Sequence, residues 1–196
     1  GVHSDYEPTR IRALEAGRRL FSSDQLDGLI PGEAAAFVVV MKASRARTLR
    51  FLPMREDLLK DQYSSVGDRP HRDAIESIQP GEILVIDGCG TFEAGVVGDM
   101  FTRRVQELGG QGIVIDGCVR DMGAIREIGL PLFCKGSHGA GINRALMSAD
   151  YQQPISIGNT PVLPGDVLMG DADGVVVLPP HMVEGLVAWG IEHEVQ

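Results

Sequence analysis

One five-residue phrase occurs twice in the chain. Val85-Ile86-Asp87-Gly88-Cys89 returns as Val114-Ile115-Asp116-Gly117-Cys118, offset by 29 residues. Each copy closes a short β-branched apolar run, EILVID and IVID, of the kind that forms a fully buried strand. An offset near ~30 residues is the length of one strand–helix–strand unit, whose crossover is right-handed. Between the copies, Asp99–Leu108 carries Met100, Phe101, Val105 and Leu108 at helical spacing and stops at Gly109-Gly110. Two buried strands converging on one composition would give the same echo. Either way the sequence predicts parallel, neighbouring strands.

The alternation continues with a short helix over Met122–Ile128, ended by Gly129, and a third strand beginning at Pro131–Cys134. Elsewhere the periodicity predicts a helix over Arg10–Phe21, strands over Phe37–Met41 and Arg47–Leu52, and a short helix over Asp73–Ile78. Asp166–Met169 and Val175–Leu178 flank Gly170-Asp171-Ala172-Asp173-Gly174 as a strand–turn–strand hairpin. Pro179-Pro180 then opens an amphipathic helix, His181–Val195. No linker composition divides the chain. The expected fold is α/β: a single compact, β-rich domain over residues 1–196, with parallel βαβ units and an antiparallel C-terminal hairpin.

Composition narrows the function classes. Apolar residues make up 43% of the 196, enough for a core, which excludes a disordered chain or a disulfide scaffold. No apolar run approaches the ~18 residues that cross a bilayer, and the opening GVHSDYEPTR has no signal-peptide pattern, so no membrane partner is expected. Cys89, Cys118 and Cys134 lack metal-ligand spacing and suit a reducing, cytoplasmic setting. The net charge of −9 lies wholly in residues 81–196, which carry 6 basic and 15 acidic residues. Such a surface repels phosphate backbones, so nucleic acid is not an expected partner. Glycine is concentrated too: 14 of the 25 fall in residues 81–141.

Ligands of a parallel sheet bind beyond the carboxyl ends of its strands. Here those ends lead into Gly95-Val96-Val97-Gly98-Asp99 and Arg120-Asp121, which would face one cleft if the strands are neighbours. The backbone N–H groups of Asp99, Met100 and Phe101 open a helix and have no intrahelical acceptor, so they suit a small anion such as a carboxylate. Gly95 and Gly98 let that backbone approach a ligand closely. Arg120 suits a ketone or enolate oxygen, and Asp121 offers hard oxygen ligands for Mg²⁺. Plainer readings stand beside these. Asp99 can be a helix cap, Arg120-Asp121 a surface ion pair, Asp87 and Asp116 strand-end turn residues, and Cys89 and Cys118 small core residues.

The pattern Gly95-x-x-x-Asp99, followed after twenty residues by Arg120-Asp121, resembles the signature of the class II pyruvate aldolases related to 4-hydroxy-4-methyl-2-oxoglutarate aldolase. That RraA-like family also contains regulators of ribonuclease E activity. PGEILVIDG, GIVIDGCVRD, MGAIREIGLPLF, PGDVLMGDADGVVVLP and RARTLRF fit it as well, so the resemblance covers roughly residues 43–183. Residues 1–42 are atypical, with Ser22-Ser23-Asp24 a poor match to the family's Ser/Thr-rich start. The resemblance implies the RraA-like fold in a homotrimer or a hexamer built as a dimer of trimers, with sites between subunits. It implies that Gly98, Asp99, Met100 and Phe101 hold the pyruvate carboxylate and that Arg120 binds the keto oxygen and stabilises the enolate. Asp121 would hold Mg²⁺ or Mn²⁺, and Asp99 would orient a metal-bound water that moves the proton. Glu192 or Glu194 of a neighbouring subunit would complete the site. The implied activity is cleavage of a small 4-hydroxy-2-oxo (di)carboxylate to pyruvate, with oxaloacetate decarboxylation as a side reaction. The alternative it implies is a protein-binding inhibitor of ribonuclease E.

Overall fold

The two copies of the repeated phrase lie side by side. Strand β2 (Glu82–Val97) and strand β3 (Gly112–Val119) are parallel, with Val85 opposite Val114, Ile86 opposite Ile115 and Asp87 opposite Asp116. Successive side chains alternate between faces, so the apolar runs supply both sides of the sheet at once. Leu84, Ile86, Ile113 and Ile115 join one core cluster; Ile83, Val85 and Val114 join a second. All seven are completely buried.

The computed structural model of the chain describes residues 41–55, 57, 69–171 and 174–193, the last four by backbone alone. Outside these residues lie the helix expected over Arg10–Phe21, residues 37–40 of a predicted strand, Ser22-Ser23-Asp24, Ala172-Asp173 of the hairpin turn, the Glu192 side chain and Glu194.

The element order is β1 (Met41–Pro53), α1 (Pro70–Glu76), β2, α2 (Asp99–Glu107), β3, α3 (Met122–Ile128), β4 (Leu132–Phe133), β5 (Gly136–Ser137), a 3₁₀ turn (Ile142–Arg144), β6 (Leu146–Tyr151), β7 (Ile155–Ile157), β8 (Thr160–Val162), β9 (Val167–Asp171), β10 (Gly174–Leu178) and α4 (Pro180–His193). The main sheet runs β10-β9-β1-β2-β3-β4, with β5 on β3 and β6 on β1. Its centre, β1 through β5, is parallel; β6, β9 and β10 pair antiparallel, β9–β10 being the expected C-terminal hairpin. The fold is thus a sheet-rich, mixed α/β one. Apolar residues around α1, α2 and α3 cover one face, and the β7–β8 hairpin covers the other through Ile155, Ile157 and Val162. No helix among the described residues is long and apolar enough to cross a membrane.

Two expectations need correction. The strand predicted over Arg47–Leu52 is longer, running from Met41 to Pro53 as β1, because Lys42, Ala43 and Arg45 project outward while the run stays hydrogen-bonded; residues 37–40 of the other predicted strand lie outside the described residues. The first half of β1 pairs with β9 and its second half with β6 along the same edge. The glycine-rich stretch after Asp87 was expected to leave the sheet, yet β2 continues to Val97. Ten positions of β2 pass three of β3 there, through register shifts at Thr91, Gly95 and Val97. Glycine permits such bulges where the backbone bends between pairings.

The repeated aspartates are not alike. Asp87 accepts the Cys89 N–H at 3.0 Å, a turn-type contact, and the Ser156 N–H at 3.4 Å. Asp116 lies inside β3, with Lys135 Nζ 2.5 Å from Oδ1 as a charge contact and the Gly158 N–H donating to Oδ2 at 3.0 Å. Both carboxylates therefore hold backbone donors of the hairpin segment. Cys118 is the buried core residue expected, whereas Cys89 is exposed at φ 54°.

Candidate functional site

The carboxyl ends of β2 and β3 leave the sheet together. The Arg120 N–H donates to the Val97 carbonyl at 2.9 Å, and the Gly95 N–H donates to the Ala140 carbonyl at 2.9 Å. A Cβ at Gly95 would sit 2.8 Å from Arg120 Cβ and backbone nitrogen and 2.9 Å from the His138 carbonyl oxygen, so no other residue fits. A Cβ at Gly98 would lie 2.6 Å from Asp121 Oδ2 and 2.9 Å from Arg120 Nε. The two glycines therefore admit the Arg-Asp pair onto the backbone of 95–98. Two motifs twenty residues apart in sequence touch.

Helix α2 starts without a side-chain cap. Gly98 is its extended N-cap, and the Thr102 hydroxyl and N–H donate to the Gly98 carbonyl at 2.9 and 3.1 Å. Asp99 does not cap the helix as the plainer reading supposed; its Oδ1 accepts the Met100 N–H at 2.7 Å. The Met100 donor is thereby committed. The N–H groups of Asp99 and Phe101 meet no acceptor among the described residues, so the positive end of α2 retains two donors for an anion.

Arg120 and Asp121 form the expected ion pair, Nε to Oδ2 at 3.3 Å, both side chains nearly half exposed. At that exposure a pair contributes little to stability, roughly 0–1 kcal/mol. Asp121 nonetheless occupies the left-handed region, φ 57° and ψ 35°, immediately before α3. That backbone is costly for any residue with a Cβ, though least so for Asn and Asp. It turns the carboxylate back over Gly98 while the Asp121 carbonyl accepts the first α3 bond, from Ile125 at 3.0 Å.

A cleft of about 310 Å³ opens beside these groups. Gly98, Phe101 and Arg120 line it; Asp99, Met100 and Asp121, their neighbours in sequence, are not among its lining residues. The cleft is also lined by residues that the sequence does not single out as a group, above all Phe51 of β1 and His71 and Arg72 of α1, with the His71 ring against Phe101. The only hint was the basic cluster Arg69-Pro70-His71-Arg72, too short to carry a periodicity. Three arginines line the cleft, Arg69, Arg72 and Arg120, and among the described residues no Asp or Glu does. In a chain of net charge −9 that is a local inversion of sign suited to anions.

His71 is packed between two aromatic rings, Phe51 at 5.2 Å edge-on and Phe101 at 4.7 Å tilted. Its Nε2 is buried without a partner among the described residues. Burial, reinforced by the neighbouring Arg72 charge, holds its pKa down at about 4, so the ring is neutral at physiological pH.

No group of three or more His, Cys, Asp or Glu able to hold a metal occurs among the described residues. Asp121 and Asp99 are the carboxylates adjacent in sequence to the lining residues Arg120 and Gly98. One or two carboxylates in a half-exposed setting fit Mg²⁺ or Mn²⁺, which keep most of their waters; zinc, which takes three or four protein donors, has no such group among the described residues.

Comparison with known proteins finds one family, whose members carry two kinds of name. The family model described as "RraA-like: Aldolase/RraA" matches residues 24–177. A Halalkalibacterium halodurans protein, named provisionally as a 4-hydroxy-4-methyl-2-oxoglutarate aldolase, is 35% identical over 113 residues, which is 58% of this chain and 53% of that protein. The chain thus spans about half the length of that relative. The crystal structure of a Streptomyces coelicolor member of the RNase ES inhibitor RraA protein family superposes with a TM-score of 0.70 at 30% identity, covering 93% of this chain and 92% of the other. The RNA-processing inhibitor RraA from Thermus thermophilis gives 0.52 at 27% identity, covering 81% and 92%.

Proposed function

The chain belongs to the RraA-like (Aldolase/RraA) family, and from that premise we propose that it is a divalent-metal-dependent carbon–carbon lyase. It cleaves a 4-hydroxy-2-oxo acid, with or without a second carboxylate, to pyruvate and a carbonyl fragment. The observation that carries this reading is that Gly98, Phe101 and Arg120 line one cleft.

The uncommitted N–H groups of Asp99 and Phe101 receive the substrate carboxylate. That places the 2-oxo oxygen toward the Arg120 guanidinium. As the C3–C4 bond breaks, its electron pair moves through C3 onto the 2-oxo oxygen, and the 4-hydroxyl loses its proton to become the carbonyl of the departing fragment. Arg120 opposes the charge growing on the enolate oxygen, an interaction stronger in the transition state than in the bound substrate. Asp99, with Oδ1 on the Met100 N–H, has Oδ2 to receive the hydroxyl proton, directly or through water. Return of a proton to C3 completes pyruvate. Loss of CO₂ from oxaloacetate reaches the same enolate, so it is expected as a side reaction. Mg²⁺ or Mn²⁺, held by Asp121 with Asp99 near it, would supply Lewis-acid polarisation of the 2-oxo group.

The reading includes a cytoplasmic homotrimer or hexamer in which Glu192 or Glu194 of a neighbour completes the site. A coupled assay for pyruvate over a panel of 2-oxo acids, with Mg²⁺ and with chelator, tests it. Release from a 4-hydroxy-2-oxo acid that chelator abolishes and Mg²⁺ restores is the expected result; no pyruvate from any of a dozen such acids rejects it.

A second reading rests on the two structural relatives described as inhibitors of RNA processing. The acidic 81–196 region would bind a basic face of ribonuclease E. Salt-sensitive capture of ribonuclease E that survives Asp121→Ala supports this reading, and retention of no RNA-processing protein counts against it.

A further inference from the structure

The start of α2 offers the Asp99 N–H to an anion only while the peptide between Gly98 and Asp99 keeps one orientation. A peptide unit is planar and trans, so its carbonyl and its N–H point in opposite directions. Here the Gly98 carbonyl points along α2, and the Asp99 N–H points out of the helix end. Residue 98 does little to enforce this. Gly98 has no Cβ, lies in extended backbone at φ −120° and ψ −170°, and gives the helix no side-chain cap. What fastens the carbonyl is Thr102, one turn on and completely buried. Its hydroxyl donates to the Gly98 carbonyl at 2.9 Å and its N–H donates at 3.1 Å. Any residue but proline would supply the N–H bond at that position; only Ser or Thr adds the second one. A hydroxyl that returns to the carbonyl four residues back is of no general benefit to a helix, so its use here lies in the peptide it holds. The helix end is not the sole mark of a ligand. Arg120 lines the same cleft, and so does His71, whose buried Nε2 has no partner among the described residues.

We propose that Thr102 is a positioning residue for the anion-binding end of α2: through the Gly98 carbonyl its hydroxyl holds the Asp99 N–H outward, and so sets the affinity for a ligand carboxylate. Thr102 touches no ligand itself. The assignment rests on the proposed 2-oxo acid site, yet it concerns binding rather than bond cleavage. It also separates the two uncommitted donors. The Phe101 N–H belongs to the peptide that follows Met100, which the Thr102 hydroxyl does not hold, so only the Asp99 donor depends on that hydroxyl.

Calorimetric titration of the full chain with pyruvate and Mg²⁺, joined to amide NMR spectra of isotope-labelled protein, tests the assignment. Valine at 102 keeps the shape and removes the hydroxyl, alanine removes it while favouring the helix, and serine keeps it. Wild type is expected to bind pyruvate with shifts of both the Asp99 and the Phe101 amide signals. Thr102→Val and Thr102→Ala should each weaken pyruvate about tenfold, the worth of one hydrogen bond. Both should lose most of the Asp99 shift and keep that of Phe101, with a melting temperature within a few degrees of wild type. Thr102→Ser should restore the affinity to within about twofold of wild type, since it restores the hydroxyl. A merely structural Thr102 would lower the melting temperature and leave the Asp99 response as it is. Pyruvate bound as tightly by Thr102→Val and Thr102→Ala as by wild type, or a loss that Thr102→Ser does not recover, overturns the proposal and leaves the 2-oxo acid site standing. A wild type that binds no pyruvate overturns both.

Discussion

At the scale of single residues, Gly95 bears the stricter steric demand of the two site glycines, and Gly98 is the one that most directly shapes the site. The missing side chain of Gly98 is what allows Asp121 Oδ2 and Arg120 Nε to stand over the start of α2. Gly98→Ala places a methyl at 2.6 Å from one and 2.9 Å from the other, both movable ends of exposed side chains. The variant should therefore stay folded, with a melting temperature within a few degrees of wild type, while kcat/KM for pyruvate release falls about 100-fold, or roughly 2.7 kcal/mol of transition-state stabilisation. His71 makes a different prediction. Its folded pKa of about 4 lies below the unfolded value of 6.5, so between those limits the unfolded chain binds more protons. Stability from this group is complete above pH 6.5, declines as pH falls toward 4 and is level below that, by at most about 3 kcal/mol. Urea midpoints of wild type and His71→Leu, compared at pH 7 and pH 4.5, should differ by that slope; parallel curves would refute it. The sequence exposed Gly98 through its place in the motif. It could not expose His71, because both its ring contacts come from elements distant along the chain.

At the scale of elements, the repeated Val-Ile-Asp proves to be a structural device. The strands were legible because β-branched residues on both faces leave few alternatives, and their in-register pairing follows from equal pattern on each. The aspartates were misjudged as equals. Asp116 needs Lys135, which comes from beyond β4, and both acids hold backbone donors of the hairpin segment. Lys135→Met leaves a largely buried carboxylate without its cation. It should lower stability by about 2–3 kcal/mol, visible as a lowered urea midpoint with an unchanged slope. Asp116→Asn combined with Lys135→Met should recover part of that loss, since an amide keeps the shape without the charge. The α1 wall of the cleft was illegible for another reason. A seven-residue helix, PHRDAIE, offers two turns at most, and its place over α2 is set by packing and by the Glu76–Arg104 pair rather than by local pattern.

At the scale of the whole molecule, charge and glycine now have addresses. The net −9 describes the outside of residues 81–196, while the cleft inside the same chain is lined by arginines from both halves. Glycine gathers in residues 81–141 because there β2 bulges past β3 and two backbones must meet Arg120 and Asp121 closely. Composition could show the excess but not its sites, since the contacts span β2, β3 and the loop at 138–141. The account's central claim is that this cleft makes the enolate of pyruvate, whatever carbonyl fragment completes the physiological substrate. Pyruvate in D₂O with Mg²⁺ and the protein tests it without knowledge of that fragment, because reversible removal of a C3 proton replaces the methyl hydrogens by deuterium. The account predicts loss of the methyl proton signal with wild type, and at least 100-fold slower loss with Arg120→Ala. A methyl signal that stays constant with wild type, or decays equally fast with Arg120→Ala, would contradict it.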